Sequence, residues 1–328
     1  MKPKVLHIVT DLNLGGINTL IQNWQQSSLI TEFNFLVAEI TQLETAFNLF
    51  RPQLVLLHSA CSRQILPKLL GLIGQQTKLI IVDHHYCSGF EKTVSSKFRL
   101  HLMLRLSYRL AYRVVAVSQG QSQWMLRNDL VAPEKLHILP PIPNLRPLLN
   151  ILPVKSWTLP LNVGAYGRFA EQKGFDILLR TLQKYPELNI TINLVGDGPD
   201  AGQLHGLAEG LRNVEISPAT TDIPGLMASC QAIVIPSRWE PWGLACVEAK
   251  AAARPVIVSD VDGLSEQMNG CGILVQPDNI ESLAAALQSL TKQSPSQLAQ
   301  WGNQGRASVT NAWENHIKAF STFLWDSL

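Results

Sequence analysis

The chain has 328 residues, of which 46% are hydrophobic and 16% are charged, and its formal net charge is +2. This composition excludes a disordered chain and a general polyanion binder such as a nucleic-acid-binding protein, and it predicts about two domains of roughly 150 residues. The five cysteines are scattered without a CxxC pair, which favours reduced thiols in the cytoplasm over a disulfide framework or a zinc site. The first apolar run is too short for a signal peptide, and no run reaches the roughly 18 residues of a membrane-spanning helix.

The first half of the chain alternates short apolar strands with helices. Residues 17–27 have the apolar spacing of a helix, and strands are predicted at 5–9, 33–37, 54–57, 79–82 and 114–117. This alternation predicts a parallel sheet with helices on both faces, whose ligands bind beyond the carboxyl ends of the strands. Gly15 and Gly16 follow the first strand and His84 and His85 follow a later one, so both pairs lie on that edge. Alternatively, the glycines form only a tight turn and the histidines lie on a surface loop.

A basic helix is predicted between Lys97 and Arg113. Lys97, His101, Arg105, Arg109 and Arg113 recur every four residues and form a slowly drifting stripe beside apolar side chains. This pattern suits a helix that lies on an anionic membrane. The alternative is a solvated face of an ordinary core helix.

The second half begins after a proline-rich linker at 139–160, with a strand at 161–166. Gly167 and Arg168 follow this strand, and Lys173 comes shortly before a helix that starts at Phe175. Two cations at a strand-to-helix turn suit a diphosphate, although a lone Arg and Lys are more often surface charges. A second turn is predicted at 194–199, where Gly196, Asp197 and Gly198 allow a close backbone approach.

Two other patterns in this half carry less weight. Gly196, Gly198 and Gly202 resemble a stretched dinucleotide fingerprint, with Glu215 where a ribose-binding acid could lie, but a glycine set alone is weak support. The chain also has no Tyr-x-x-x-Lys pair for hydride-transfer chemistry. Asp260 and Asp262 form an aspartate pair, which we interpret as a turn and not as a metal site.

Residues 233–261 predict a strand, a loop, a helix and a second strand. Glu240 lies on the loop, and the helix starts near Gly243, continues to Ala253 and carries Glu248 on its second turn. The amides of Gly243 and Leu244 lie at the helix N-terminus, where unpaired N–H groups and the helix dipole favour an anion. The segment therefore predicts a sugar-phosphate site, although two solvated glutamates are the simpler alternative.

This segment resembles the signature of the family-four retaining glycosyltransferases, which have the GT-B fold. The residues that carry the resemblance are Ser237, Glu240, Gly243, Leu244, Glu248, Ala249, Pro255, Val256, Gly263 and Glu266. One departure is Pro241-Trp242, where the family usually has a small residue followed by Phe. The resemblance covers nearly the whole chain and is most specific over residues 163–275.

The resemblance implies two Rossmann-like domains, each with a doubly wound parallel sheet, that face each other across a cleft. Residues 1–150 would form the acceptor-side domain and residues 151–310 the nucleotide-sugar domain, while a helix at 311–328 crosses back to the first domain. The implied activity is transfer of a sugar from a nucleotide-diphosphate sugar to a glycan or lipid-linked acceptor. The implied reaction retains configuration and needs neither metal nor cofactor.

The resemblance also assigns roles to single residues. Arg168 and Lys173 would bind the diphosphate, Glu240 the sugar hydroxyls and Glu248 the ribose. His84 would reach the transferred sugar, with His85 as the competing choice. The remaining donor-binding positions are Gly15, Gly16, Gly196, Asp197, Gly198, Ser237, Gly243 and Leu244. Two alternatives to a transferase are a GT-B nucleotide-sugar epimerase and a non-catalytic sugar-nucleotide-binding protein.

Overall fold

The computed structural model describes residues 2–12, 15–72 and 76–328. The chain divides into two compact units. Unit 1 comprises Met1–Asn144 together with Trp313–Leu328, and unit 2 comprises Leu145–Ala312. The divisions predicted from the sequence lie after residue 150 and before residue 311.

Unit 1 is built on a parallel sheet of six strands in the order β2-β1-β3-β4-β5-β6. Each segment predicted as a strand overlaps a strand of this sheet. Most of these strands are buried on both faces, whereas the edge strand Asn34–Glu39 is only partly buried. The strands are β1 Lys4–Val9, β2 Asn34–Glu39, β3 Leu54–Leu57, β4 Lys78–Asp83, β5 Arg113–Ala116 and β6 Leu136–Ile138.

The described residues of unit 1 include seven α-helices before residue 144, and hydroxyl caps mark the starts of two of them. The Ser96 hydroxyl accepts a hydrogen bond from the Arg99 amide (3.3 Å) at one helix start, and the Ser118 hydroxyl accepts one from the Gln121 amide (3.1 Å) at another. The helices are α1 Gly16–Gln25, α2 Leu29–Glu32, α3 Leu43–Phe50, α4 Leu66–Leu70, α5 Ser88–Glu91, α6 Lys97–Leu110 and α7 Gln119–Arg127.

The prediction of a basic helix that reaches Arg113 is wrong at its end. Helix α6 stops at Leu110, and Arg113 is the first residue of β5. The reason is the β-branched pair that follows Arg113, since Val114 and Val115 pair with β4 in the centre of the sheet.

Unit 2 has a second parallel sheet, in the order β12-β11-β10-β7-β8-β9. β7 and β10 are neighbours in this sheet. From β7 the chain continues through β8 and β9 towards one edge, and from β10 it continues through β11 and β12 towards the other edge. Ligands of doubly wound sheets bind at such a switch point. The strands are β7 Leu161–Arg168, β8 Ile190–Asp197, β9 Val214–Ser217, β10 Ala232–Ile235, β11 Val256–Ser259 and β12 Gly272–Val275.

Two predicted boundaries in unit 2 need correction. The turn expected at 194–199 starts only at Gly198, because Leu194–Asp197 continues β8 and pairs with β7 as far as Arg168↔Asp197. Arg168 is accordingly the last residue of β7 rather than a loop residue.

The unit 2 helices are α8 Arg146–Leu149, α9 Phe175–Lys184, α10 Ala201–Ala208, α11 Ile223–Ser229, α12 Leu244–Ala251, α13 Asp262–Glu266, α14 Ile280–Lys292 and α15 Pro295–Val309.

Helix α12 also ends two residues earlier than predicted. It stops at Ala251, and Ala253 takes a left-handed backbone conformation with φ 53°. Pro255, two residues further on, excludes a helical conformation for Arg254 and leads the chain into β11.

The last helix, α16 (Ala312–Trp325), packs in unit 1 as predicted. The Trp24 indole Nε1 donates to Nε2 of His316 (3.0 Å), and the rings of Trp24 and Phe320 stack with centroids 4.3 Å apart. At the other end of α16, the Glu32 carboxylate accepts hydrogen bonds from the Ser321 hydroxyl and the Trp325 indole.

Each unit has its own apolar core between sheet and helices. All five cysteines are buried and free. Within the described ranges, the helices are all too short or too polar to cross a membrane.

Candidate functional site

An ion pair lies at the switch point of unit 2, beyond the carboxyl ends of β7 and β10. The Lys173 ammonium group contacts the Glu240 carboxylate, whose Oε2 also accepts a bond from the Ser237 hydroxyl (3.4 Å). Glu240 is only 8% exposed, and these partners satisfy its buried carboxylate. The structure thus brings together three of the predicted site residues that are up to 67 positions apart in the chain.

The turn that carries Lys173 is held against the loop that carries Glu240. Gly174 has φ 64°, and a Cβ added there would lie 2.1 Å from the Pro236 carbonyl oxygen, so only glycine fits. Arg238 then joins the two segments: its guanidinium bonds both carboxylate oxygens of Asp176 (2.8 Å each) and the Glu171 carbonyl (2.8 Å). Arg238 belongs to no motif in the sequence, and its partners Asp176 and Glu171 lie more than 60 residues away.

The N-terminus of helix α12 adjoins this pair. Gly243 is the N-cap, with φ 93° and no side chain to bond the first helical amides. A Cβ at this position would lie 2.4 Å from Cδ2 of Leu264. The amides of the first turn, including that of Leu244, therefore lie at a helix start without a side-chain cap, where the helix dipole favours an anion.

The aspartate pair near this helix has local partners. Asp262 Oδ2 accepts the Glu240 backbone N–H (3.3 Å), and Asp260 Oδ1 accepts the Ser265 hydroxyl (2.5 Å). Asp262 thus supports the Glu240 loop and Asp260 supports the start of α13. In the part of the chain that the structure describes, no group of three or more His, Cys, Asp or Glu side chains is arranged to hold a metal ion.

Glu248 lies inside α12 and accepts a hydrogen bond from the Tyr166 hydroxyl of β7. Burial raises the pKa of Glu248 to about 7, although the bond from Tyr166 and the charge of Lys173 act in the opposite direction. Glu248 is therefore close to half-ionised at neutral pH. Tyr166 is a second residue that the sequence analysis missed, since it lies within a predicted strand without any motif.

The other predicted residues of unit 2 lie at the ends of β7 and β8. Arg168 is exposed at the end of β7, opposite Asp197 in the sheet register. A Cβ on Gly196 would lie 2.0 Å from the Gly167 carbonyl oxygen, and one on Gly198 (φ 154°) would lie 2.4 Å from that of Phe169. The close approach that these glycines allow is therefore an approach of β7 to β8 within the protein itself.

In unit 1, the predicted residues follow β1 and β4. Gly15 caps α1, with its carbonyl accepting the Thr19 amide (3.0 Å), and both Gly15 and Gly16 are exposed. Residues 13 and 14 of the same predicted loop lie outside the described residues.

His84 follows β4 and belongs to a row of histidines. Its Nε2 lies 3.1 Å from Nδ1 of His58, which directly follows β3. The ring nitrogen Nε2 of His85 instead bonds the backbone carbonyl of His58 (3.0 Å). Burial, with a smaller effect of His85, lowers the pKa of His84 to about 3, so this ring is neutral at physiological pH.

The turn after β4 is fixed by Asp83. Its buried carboxylate accepts the amides of His85 (2.8 Å) and Tyr86 (3.0 Å) and the hydroxyl of Tyr108. The side-chain amide of Gln121 bonds the carbonyls of Asp83 (3.0 Å) and Tyr86 (2.7 Å). This network holds both histidines at the carboxyl edge of the sheet.

Part of the chain matches a known family. Residues 160–293 match the family model described as Glycosyl transferases group 1. The chain is 31% identical over 172 residues to an uncharacterized glycosyltransferase of Methanocaldococcus jannaschii, a match that covers 49% of this chain and 41% of that protein. It is 32% identical over 166 residues to the D-inositol 3-phosphate glycosyltransferase of Rhodococcus erythropolis, covering 45% of this chain and 37% of that protein. The chain thus spans less than half the length of either relative.

Solved structures resemble the whole chain. Sucrose-phosphate synthase from Thermosynechococcus elongatus has a TM-score of 0.83 at 18% identity, with 99% of both chains covered. Anabaena Alr3699/HepE, solved in complex with UDP and glucose, has a TM-score of 0.78 at 18% identity and covers 98% of this chain and 99% of its own. The chain therefore has the fold of GT-B glycosyltransferases, with two Rossmann-like units, and residues 160–293 are similar to group 1 glycosyl transferases.

Proposed function

We propose that this chain is a glycosyltransferase that moves a sugar from a nucleotide-diphosphate sugar to an acceptor hydroxyl, with retention of configuration and without a metal ion. The observation that carries the proposal is the pair Lys173–Glu240, which lies at the switch point of unit 2 beside the uncapped start of α12. This arrangement combines a cation and a helix N-terminus for a phosphate with a carboxylate for hydroxyl groups.

The cations supply the main catalytic effect. Cleavage of the sugar–phosphate bond develops negative charge on the leaving diphosphate. Lys173, Arg168 and the helix start at Gly243 would stabilise that charge, because fixed donors and dipoles need no reorganisation during the reaction. Three such groups take the place of a divalent cation, which supports a metal-independent reaction.

The two glutamates would hold the hydroxyl groups of the donor. Glu240 pairs with Lys173, and its carboxylate oxygens accept hydrogen bonds, so it suits the hydroxyls of the transferred sugar. Glu248 would accept bonds from the ribose, with Tyr166 orienting its carboxylate. UDP and glucose bound to the structurally similar Anabaena protein support a nucleotide-sugar donor.

His84 would bind the transferred sugar. Its Nε2 is bonded to His58, whereas the ring nitrogen of His85 is bonded to a backbone carbonyl. Since both contacts use Nε2, Nδ1 remains for a ligand on either ring, and we favour His84 because its ring is also fixed by stacking on His58.

The acceptor we propose is a glycan or a lipid-linked chain at an anionic membrane, and helix α6 supports the membrane contact. The predicted stripe is largely engaged elsewhere: Lys97 and His101 both contact Glu91, and the Arg105 guanidinium bonds the carbonyls of Asn128 (2.8 Å) and Asp129 (3.0 Å). These side chains stabilise unit 1 itself.

The outward face of α6 suits a membrane better than that stripe. Phe98 is 73% exposed, and Leu102 and Leu106 follow it at intervals of four residues with 45% and 44% exposed. Arg99 and Arg109 are exposed beside this apolar row. An apolar row flanked by arginines is typical of a helix that lies in the interface of an anionic bilayer.

The proposed function is tested with a panel of nucleotide-diphosphate sugars. Thermal shift identifies the donor that binds, and product analysis with and without candidate acceptors then follows the fate of its sugar. We expect the sugar on an acceptor, with slow hydrolysis of the donor when no acceptor is present. A modified free sugar or sugar nucleotide formed without acceptor would identify an epimerase instead, and binding without any turnover would identify a non-catalytic binding protein.

A further inference from the structure

Three histidines of unit 1 form a continuous hydrogen-bonded chain that ends in the core. Besides the contact between His84 and His58, Nε2 of His58 lies 3.0 Å from Nδ1 of His7 in β1. The rings are stacked, with centroids 5.3 Å apart for the first pair and 5.2 Å for the second. His58 is thus bonded through both ring nitrogens and held between the other two rings.

Burial keeps all three rings neutral. It lowers the pKa of His7 to about 3, as it does for His84, and it holds the pKa of His58 well below its usual value together with the neighbouring histidines. A neutral imidazole has one N–H and one bare nitrogen, so both hydrogen bonds run in the same direction along the chain. Each direction fixes one tautomer of His84.

The buried end of the chain favours one direction. Nε2 of His7 is buried and has no hydrogen-bond partner within the described part of the chain. If the hydrogen bonds run from His84 towards His7, this atom carries an N–H without an acceptor. If they run from His7 towards His84, it is a nitrogen without a proton. Because orphaned N–H groups are the rarer of the two in protein interiors, His7 and His58 each donate from Nδ1. His84 then accepts at Nε2 and carries its own proton on Nδ1.

We propose that His58 is a positioning residue of the transfer reaction: it donates to Nε2 of His84, fixes that ring, and so presents the Nδ1–H of His84 to the substrate. This inference rests on the proposed function. Among residues 2–12, 15–72 and 76–328, no group bonds Nδ1 of His84. A fixed neutral N–H at the carboxyl edge of the sheet suits a hydroxyl or phosphate oxygen.

The hydrogen-bonded row of His84, His58 and His7 does not relay protons. If His84 gave up its Nδ1 proton and drew another through His58, the proton would have to come from His7. No described group could replace that proton, because Nε2 of His7 has no partner, and an imidazolate anion would remain in the core. The chain therefore fixes a tautomer and carries no net proton transfer.

The inference is tested with two amide variants that replace one ring nitrogen each. In His58→Asn the amide nitrogen can occupy the place of Nδ1 and keep the donor to His84. In His58→Gln the amide oxygen can occupy the place of Nε2, which keeps an acceptor for the Nδ1–H of His7 and removes the donor to His84. Nitrogen-15 NMR of histidine-labelled protein, with His84→Gln to assign the signal, reports the tautomer of His84. We expect the Nδ1–H form in the wild type and in His58→Asn, and a mixture in His58→Gln.

The kinetic readout uses the same variants, with thermal unfolding to confirm that they fold. We expect kcat of His58→Gln to fall by about tenfold to a hundredfold, as for other residues that position a reacting group, while His58→Asn keeps most of the activity. The KM for the donor should change little, and the exposed His205→Gln is the matched control.

Equal rates of the two variants, or an Nε2–H tautomer of His84 in the wild type, would overturn the inference. If the wild type transferred no sugar from any donor, the proposed function would fail, while the NMR measurement would still decide the role of His58. It would also decide if His58→Gln failed to fold.

Discussion

The Tyr166 hydroxyl of β7 donates a hydrogen bond to the Glu248 carboxylate of α12, and this bond stabilises the ionised form of a buried acid. Since burial raises the pKa of Glu248 to about 7, the acid changes its charge near neutral pH. If ribose hydroxyls donate to this carboxylate, binding favours the ionised form. We expect nucleotide affinity to rise as the pH increases through about 7, measured by calorimetry between pH 5.5 and 8.5.

The matched variant for this prediction is Tyr166→Phe. Loss of the hydroxyl removes a bond that lowers the pKa of Glu248, so the midpoint of the affinity change should move to higher pH. Glu248→Gln should bind weakly and without this pH dependence. An identical pH profile in all three proteins would show that Glu248 does not contact the nucleotide.

Arg168 and Lys173 should act on the rate more than on donor binding. We expect Arg168→Ala or Lys173→Ala to cost about 2–4 kcal/mol of transition-state stabilisation, or roughly thirtyfold to a thousandfold in kcat. Arg168→Lys should lie between the wild type and the alanine variant, since it keeps the charge and loses the forked geometry. Lys184→Ala, which removes an exposed lysine paired with Glu281, is the control. Wild-type turnover in the double alanine variant would exclude a diphosphate role.

Arg238 should stabilise unit 2, because its guanidinium joins the Glu240 loop to Asp176 and Glu171. Arg238→Ala removes the forked bonds to Asp176 and leaves this half-buried carboxylate without its partner. We expect the free energy of unfolding to fall by about 2–3 kcal/mol, measured with urea. Arg212→Ala, at an exposed arginine of the same unit, should change it by less than about 0.5 kcal/mol. If the two variants had equal stability, the bonds between Arg238 and Asp176 would contribute nothing to the stability of unit 2.

Activity should survive an excess of EDTA, because cations and a helix start stabilise the leaving group. Asp260→Asn should retain activity, since the Asp260 carboxylate accepts a hydrogen bond from the Ser265 hydroxyl and supports α13. Loss of activity on chelation, with recovery on addition of Mn²⁺ or Mg²⁺, would assign a metal to the reaction.

The outward face of α6 should bind vesicles that contain anionic lipid at low salt. Arg99→Gln with Arg109→Gln should weaken binding by roughly 2 kcal/mol, or about thirtyfold, at about 1 kcal/mol per arginine. Phe98→Ser with Leu102→Ser should weaken it further, measured by co-sedimentation. Lys97→Gln should have little effect, because Lys97 pairs with Glu91. Leu49→Ser, at an 81% exposed leucine on α3, is the control for lost surface apolarity. Protein that stays in the supernatant would favour a soluble acceptor.

Local patterns in the sequence predicted the strands and several helix starts. The apolar runs around Val5 and Ile233 identified central strands, and Gly243 identified the start of α12. The missed residues, Tyr166, Arg238 and His58, act through partners that are distant in sequence. Tyr166 and Glu248 are 82 residues apart, and no local periodicity connects them. Such pairings depend on strand order, which a single sequence does not specify.

The contact between Trp24 and His316 bears on how the protein is made. Residues 313–328 leave the ribosome after all of residues 145–312, yet they complete the packing of the unit that is synthesised first. Domains generally fold in the order of their synthesis. Here, the Trp24 surface of unit 1 stays uncovered until residues 313–328 have been synthesised. Unit 1 is therefore synthesised before unit 2 but completes its folding after it.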